Sequence, residues 1–390
     1  MSKDIIRAVA ALSEASDADV SALRAEIDLR VLAGDFVWVG DLGAQLAAQA
    51  TAGKPLQAHC REVLDYVLHV LSTHPGVQSL RSLLRVPVSR HSDGSDRTGA
   101  ERRLAFFVAC NHRIDDIANS VFTMEYQSVH SREFMACLLQ ELVLQSVEVE
   151  EYPVLRSFAE KLVNVGHPLA VLPLSLLPEE HGLRRPSDAA DDWTWTVPPT
   201  PFVSFGTAEL RSAPSTQQRT ACIGMTELTV PAVADVMGAA IQHWCTQSNG
   251  KISAQEFWAP DPVREEDFPA AFQSLPLIPW PADQAPARLY PSSSDSVLRV
   301  LLTAAVRGPA YGFGLYGAYG RLATWRSLAG LTGASADAPI THTAELVRQA
   351  RWFRVDTASV WFYGVAWDLA VAVLRSGGQE IAVLAATDTD

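Results

Sequence analysis

The chain has 390 residues, of which 48% are apolar and 19% are charged, and this balance is typical of a folded globular protein with two or three domains. Its formal net charge is −13, with 18 basic and 24 acidic side chains in residues 1–186 and 13 and 20 in residues 187–390. Because both halves are acidic, we expect no nucleic-acid partner, since binding one needs a basic surface.

Three features predict a cytoplasmic protein without a membrane segment. The sequence at Met1 lacks the charged-then-apolar pattern of a leader. The five cysteines are scattered and form no Cys-x-x-Cys pair, which fits reduced thiols. The longest near-apolar run, residues 358–374, contains Gly364 and Asp368 and is slightly short for a bilayer, so a β-hairpin is favoured over a span.

Residues 1–180 are predicted to form an α-helical array. Apolar residues recur at helical spacing, and Ser16 is placed to cap a helix that ends before Gly34. The predicted helices cover 17–32, 39–52, 56–71, 77–84, 101–110, 113–124, 132–147 and 153–165. Stacked helical hairpins, as in a solenoid, are one arrangement of such an array, although the sequence has no fixed repeat period.

Residues 181–220 change in composition and are predicted to be a Pro-rich boundary between two domains. Within it, residues 193–197 alternate between apolar and polar side chains, as in a strand, and residues 202–205 are a candidate continuation of that strand. The prolines at 198, 199 and 201 restrict that strand to the edge of a sheet, because proline cannot donate to the ladder.

Residues 221–390 are predicted to form an α+β domain. Strands are expected at 222–230 and 252–258, and helices at 232–246, 268–275, 322–331 and 343–353, with a Pro-rich linker at 280–291. Residues 297–306 fit either a helix or a buried strand. The whole chain is therefore predicted to be α+β and mostly α, ending in a hairpin.

The hairpin is predicted from two apolar runs that flank Gly377-Gly378, a pair that suits a two-residue type I′ turn. This register places Leu374 opposite Ile381, Thr387 opposite Asp368, and Asp388 opposite Trp367. The first strand is expected to run from about residue 360, with an apolar face that the rest of the domain covers. Asp388 and Asp390 are expected to be solvated tail residues.

A Gly-rich segment at 307–321 contains a literal G-x-G-x-x-G and leads into a helix, a combination that can bind phosphate. Six arginines lie between residues 307 and 354, and nearby tyrosines can stack on a planar ligand. The predicted anion-binding residues are Gly312, Gly314, Gly317, Gly320, Arg321 and Arg326. The alternative is a tight loop that packs aromatic rings, with solvated arginines. Too few residues follow the motif for a dinucleotide-binding fold.

A second candidate site is a metal site at His112, Asp115 and Asp116, which share one face if they are helical. The alternative is that the two carboxylates stabilise a helix N-terminus. His243 and Cys245 have no partner nearby in the sequence and are expected in the core or on the surface. The sequence shows no zinc spacing, nucleophile elbow or Walker loop, and it points to no particular cofactor.

Two segments carry a resemblance to known sequences. The end of the chain, Trp361-Phe-Tyr-Gly-Val-Ala-Trp-Asp followed by Ile381-Ala-Val-Leu-Ala-Ala-Thr-Asp, resembles a family of uncharacterised proteins of high-GC bacteria. So does Tyr319-Gly-Arg-Leu-Ala-Thr-Trp-Arg. The resemblance implies no activity, so it assigns no functional residue.

The leading hypothesis is an interaction or scaffold protein that binds a protein partner or itself through the helical array. The alternative is a small-molecule or nucleotide-binding enzyme or sensor that uses the Gly-rich loop. Whether the chain is an enzyme stays open at this point.

Overall fold

The structure is a computed structural model that describes residues 3–12, 16–50, 57–87, 97–123, 131–183, 224–281, 286–335 and 337–389. It divides into two compact units, Met1–Ala170 and Val171–Asp390. The predicted boundary at 181–220, with its edge strand, lies outside the described residues except for its first three positions. The predicted class, helices followed by an α+β unit, is confirmed.

The first unit is helical throughout its described residues. Its α-helices are α1 (Lys3–Ala11), α2 (Asp17–Leu32), α3 (Phe36–Ala50), α4 (Ala58–Thr73), α5 (Val77–Leu83), α6 (Arg97–Asn111), α7 (Ile114–Ser120), α8 (Arg132–Leu144) and α9 (Pro153–Asn164). The start of α2 shows why the sequence folds this way. Ser16 and Asp19 form a reciprocal capping box, and Gly34 follows the helix at a positive φ of 75°.

Helix α8 is an interior helix of this unit. Its residues 134–143 are all buried, including Gln140 and Glu141. A helix that is buried on every side is enclosed by its neighbours.

The second unit is built on a six-stranded antiparallel sheet in the order β1-β2-β6-β5-β4-β3. Its strands are β1 (Thr226–Glu227), β2 (Lys251–Trp258), β3 (Leu289–Ser292), β4 (Arg351–Val355), β5 (Trp367–Leu374) and β6 (Glu380–Asp388). Its helices are α10 (Pro231–Met237), α11 (Gln242–Gln247), α12 (Phe268–Gln273), α13 (Ser294–Val306), α14 (Tyr316–Thr332) and α15 (Ile340–Gln349). Short 3-10 turns cover Val149–Glu151, Pro168–Val171, Pro178–Leu183 and Glu265–Asp267.

The predicted hairpin is confirmed, and its two strands, β5 and β6, occupy the centre of the sheet. Leu374 pairs with Ile381 and Trp367 pairs with Asp388, which is the predicted register. The turn is longer than predicted, because the Gly378 amide donates to the Arg375 carbonyl and the strands resume only at Glu380. Gly377 and Gly378 both have a positive φ, a backbone conformation that glycine adopts readily.

Both faces of the central strands are buried. One face packs on an aromatic cluster that includes Phe268, Phe272 and Trp280 of α12 and the segment after it. Residues 371 and 373 of β5 point to the opposite face and are also fully buried, so helices cover that side as well. The apolar hairpin face is therefore covered, as expected.

Several predicted elements differ from the structure, among them the Pro-rich linker at 280–291, whose end forms most of β3. The strand expected from residue 360 begins only at Trp367, because residues 356–366 leave the sheet and Gly364 adopts a φ of 67°. The helix expected at 232–246 is broken into α10 and α11, and the Ala240 amide donates to Ser327 instead. Residues 297–306 are helical, and α14 begins earlier than expected, at Tyr316.

The predicted helix at 343–353 ends at Gln349, and the chain then enters β4, which the sequence analysis missed. β4 is stabilised by backbone hydrogen bonds to β5, and the local sequence pattern does not indicate this pairing. None of the helices in the described residues is both long and apolar enough to cross a bilayer.

Candidate functional site

The Gly-rich segment divides between a loop and a helix. Gly312 and Gly314 lie in the loop that joins α13 to α14, whereas Gly317 and Gly320 lie inside α14. Gly320 lets α14 approach α13 closely, since a Cβ there would lie 2.8 Å from Val306 Cγ2. The four glycines therefore do not form one phosphate-binding loop.

The two loop glycines are required by the backbone. Gly312 has a φ of 126°, which other residues rarely adopt. A Cβ on Gly314 would lie 1.7 Å from the carbonyl oxygen of Val306. The loop is thus folded tightly back on the end of α13.

The loop amides are bonded to the protein itself. The Ala310 amide donates to Asp388 Oδ2 at 2.6 Å, and the Phe313 amide donates to Gln247 Oε1 at 2.9 Å. The Tyr311 amide donates to Ser248 Oγ at 3.3 Å. The Ala310 amide is therefore already bonded to the Asp388 carboxylate and does not donate to a phosphate. The negative charge of Asp388 also opposes the binding of a second anion in the loop.

Arg321 lies away from this loop, in a fully buried ion pair. Its Nε and Nη2 donate to the two carboxylate oxygens of Glu180 at 2.7 and 2.8 Å. The same guanidinium donates to the carbonyls of Pro173 and Ser175, and Trp325 Nε1 donates to Glu180 Oε1. Arg321 therefore holds the 173–180 segment against α14. Arg326, on the same helix, is exposed.

Asp388, expected in a solvated tail, is fully buried beneath the loop. The predicted register places Asp388 opposite Trp367, and the structure has the same pairing. A large apolar neighbour across the hairpin is the sequence feature that indicates burial of Asp388. Its Oδ1 accepts no hydrogen bond from the residues that the structure describes. The carboxylate is held on one side only, by the Ala310 amide.

His243 of α11 is almost fully buried. Its Nε2 is 3.1 Å from the Arg307 carbonyl oxygen, and because a carbonyl can only accept, Nε2 carries the proton. Nδ1 is then an acceptor, and it has no partner within the described part of the chain. Burial lowers the pKa of His243, outweighing the Arg307 carbonyl and Asp388, so the ring is neutral at pH 7.

His243 and Asp388 each anchor the loop at a different point. The nearby thiol is Cys245, and partial burial and Asp388 raise its pKa, whereas a reactive cysteine needs a lowered one. His243 fixes Arg307 at one end of the loop, and Asp388 fixes Ala310 further along. The two buried groups therefore set the loop conformation.

Two loops at this end of the sheet present large apolar side chains to solvent. The first is the α13–α14 loop, and the second is the 356–366 segment, where the Tyr363 amide donates to Thr387 Oγ1 at 2.9 Å. We call the exposed set the aromatic rim, and its members are 43–83% exposed. The aromatic rim consists of Tyr311, Phe313, Val360, Tyr363 and Val365.

Cations lie against the rings in the same region. Lys251 Nζ is 4.7 Å from the ring centroid of Trp361 and 4.3 Å from that of Tyr363. Arg307 lies over Trp367 at 5.0 Å. These distances are those of cation–π contacts, which fix the rings in place.

The predicted metal residues do not converge. His112 is buried, and burial lowers the pKa of its imidazole. Asp115 is on the surface, 3.6 Å from Arg113 and 3.4 Å from the Tyr152 hydroxyl. Across the described ranges, no group of three His, Cys, Asp or Glu side chains is placed to hold a metal ion.

Comparison with known proteins places the chain in a family. A family model, described as a family of unknown function, DUF6183, matches residues 21–390. The chain belongs to the DUF6183 family. No curated protein and no solved structure matches it. Membership in DUF6183 therefore covers both units and assigns no activity to either.

Proposed function

We propose that this DUF6183 chain is a protein-interaction protein and that its aromatic rim binds the partner. The observation that supports the proposal is the exposure of five large apolar side chains on two loops around the same end of the sheet. Aromatic side chains with nearby cations are enriched in protein interfaces. The surface lies on the second unit, whereas the sequence pattern favours the helical array as the binding surface.

The rim is suited to binding because its backbone is held in place before a partner arrives. Asp388 and Gln247 hold the first loop, and Thr387 holds the second. A preorganised loop loses little conformational entropy when it binds, so more of the contact energy contributes to affinity.

We expect the partner to be a different protein rather than a second copy. Each copy carries a formal net charge of −13, and like charges oppose association at physiological salt. Size-exclusion chromatography with light scattering should give a monomer. A dimer that is lost in the Tyr311→Ser/Phe313→Ser variant would instead identify a second copy as the occupant.

Site-specific photo-cross-linking in the native cells tests the proposal on the full chain. A benzophenone amino acid replaces Phe313 in one variant and Leu32, an exposed apolar residue of α2, in a matched control. We expect a discrete adduct from position 313 and none from position 32. An adduct from position 32 alone would move the surface to the helical array, and no adduct from either position would reject an interaction function.

The alternative function is the binding of a nucleotide or a small phosphate compound near the Gly-rich segment. Exposed Arg326 supports it, while the occupied loop amides weaken it. A thermal-shift screen against nucleotides and sugar phosphates tests it, because a ligand that binds the folded state raises Tm. Arg326→Ala is the informative variant, since Arg321→Ala removes a buried structural contact.

A cytoplasmic location in a high-GC bacterium completes the proposal. The chain has 27 arginines and four lysines, a ratio that fits high-GC coding. Cell fractionation with an antibody against the native protein tests the location.

A further inference from the structure

A half-open cavity of about 180 Å³ lies at the turn between β5 and β6. This turn is at the opposite end of the central strands from the aromatic rim. The cavity is lined by Trp258, Arg375, Gln379 and Glu380, together with residues at the ends of α14 and α15. Typical small-molecule pockets measure roughly 300–1,000 Å³, so this cavity suits only a small ligand.

Arg375 cannot serve as an anion site in this cavity. Its guanidinium is nearly buried and donates through Nη1 to Glu380 Oε2 at 2.7 Å and to Glu256 Oε1. Its Nε and Nη2 donate to the carbonyls of Leu331 and Gly330 at 2.9 and 3.0 Å. The positive charge is thus fully engaged with carboxylates and with the last turn of α14.

The remaining charge at the cavity is negative. Two carboxylates, Glu256 and Glu380, face one guanidinium. The C-terminal ends of α14 and α15 also meet here, since Thr332 and Ala350 both line the cavity. The C-terminus of α15 contributes a partial negative charge of roughly half an electron, whereas the last carbonyls of α14 already accept from Arg375.

The cavity also offers an open hydrogen-bond acceptor and an aromatic wall. Glu380, which lines it, uses one carboxylate oxygen for Arg375, and its second oxygen accepts no side-chain hydrogen bond within the described ranges. Trp258 is the cross-strand neighbour of Glu380 and is 38% exposed. A carboxylate beside an indole ring is a combination that recognises an organic cation.

We propose that this cavity binds a small organic cation, an amine or a guanidine, between Trp258 and Glu380. The cationic group donates to the free oxygen of Glu380 and lies against the indole ring. A phosphate or carboxylate is repelled by the same surroundings. The proposal is independent of the aromatic rim, because the two sites lie at opposite ends of the sheet.

Titration of the full chain with ethylguanidinium, followed by NMR of the indole N–H groups and the Gly377 and Gly378 amides, tests the proposal. Ethylurea is the matched neutral probe, since it has the same planar shape without the charge. We expect saturable shifts with ethylguanidinium and none with ethylurea. Equal binding of the two probes, or no saturable binding of either, would overturn the proposal.

Three variants sharpen the test. Glu380→Gln keeps an acceptor for Arg375 but removes the charge, and Trp258→Leu keeps the ion pairs but removes the ring. We expect each to weaken ethylguanidinium binding at least about tenfold. Glu265→Gln is the control, because Glu265 is similarly exposed and pairs with Arg351 outside the cavity. Equal loss in the control, or unchanged binding in either cavity variant, would reject the site.

Discussion

At the residue scale, Arg321 and Arg351 show how burial decides what an arginine does. Both pair with a glutamate at a similar distance, 2.7 Å to Glu180 and 2.9 Å to Glu265. The first pair is 1% exposed on each side, and the second is more than half exposed. In water an ion pair contributes little, whereas a buried charge that loses its partner is strongly destabilising.

We expect Arg321→Met to lower the free energy of unfolding by about 3–5 kcal/mol, because Glu180 then stays buried without a counter-charge. Arg321→Met with Glu180→Met should recover part of this loss, although Trp325 Nε1 and the Leu177 amide lose their acceptor. Denaturant unfolding followed by tryptophan fluorescence measures both.

Arg351→Met is the control for this prediction and should change the free energy of unfolding by less than about 1 kcal/mol. Similar losses in the Arg321 and Arg351 variants would show that burial of the first pair has no energetic effect.

His69, in α4, should make the first unit sensitive to acid. Burial, reinforced by Arg103 and His74, lowers the pKa of His69 from 6.5 to about 4. Between these values the unfolded chain takes up a proton that the folded chain does not. The free energy of unfolding is therefore unaffected by His69 above pH 6.5. It falls as the pH drops from 6.5 to 4, by at most roughly 3 kcal/mol.

Urea unfolding of wild type and His69→Gln at pH 7.5 and 4.5 measures this contribution. We expect the wild type to lose more stability on acidification than the variant. Burial also lowers the pKa of His112, so a smaller acid sensitivity should persist in the variant. Equal losses in the two proteins would contradict the assignment to His69.

At the element scale, the α13–α14 loop depends on one position without a side chain. Gly314→Ala would place a Cβ 1.7 Å from the Val306 carbonyl oxygen, so the loop or the end of α13 must move. We expect a loss of at least about 3 kcal/mol in the free energy of unfolding, with displacement of Phe313. Thermal denaturation and the fluorescence of the nearby tryptophans report the two effects.

Gly99→Ala is the matched control for the same substitution. Gly99 lies in α6, and a Cβ there meets nothing within 4 Å. Alanine should therefore stabilise the helix by about 0.5–1 kcal/mol through its better propensity. If Gly314→Ala were tolerated as well as Gly99→Ala, the close contact between Gly314 and the Val306 carbonyl would be contradicted.

At the scale of the whole molecule, net charge is the property that decides long-range behaviour. A formal charge of −13 spread over both halves opposes the binding of a phosphate backbone. We expect no binding to duplex DNA or single-stranded RNA in fluorescence anisotropy at 0.15 M salt. Binding that weakened steeply as salt was raised would reveal a basic patch and overturn this expectation.

The sequence alone determined the local structure and the centre of the fold. The helix cap at Ser16, most helices of the first unit and the register of the β5–β6 hairpin were predicted correctly, because each follows from neighbouring residues. The family resemblance also held in its general form, as the DUF6183 match covers residues 21–390.

Only the tertiary structure decided the environment of single side chains. Arg321 was predicted at an anion site, but Glu180, 141 residues earlier in the chain, fills its hydrogen bonds. Asp388 was expected in solvent, yet the α13–α14 loop folds over it, and the Ala310 amide donates a hydrogen bond to its carboxylate. Both outcomes depend on contacts between segments far apart in sequence, and a local pattern of residue types contains no information about which distant atoms will surround a charge.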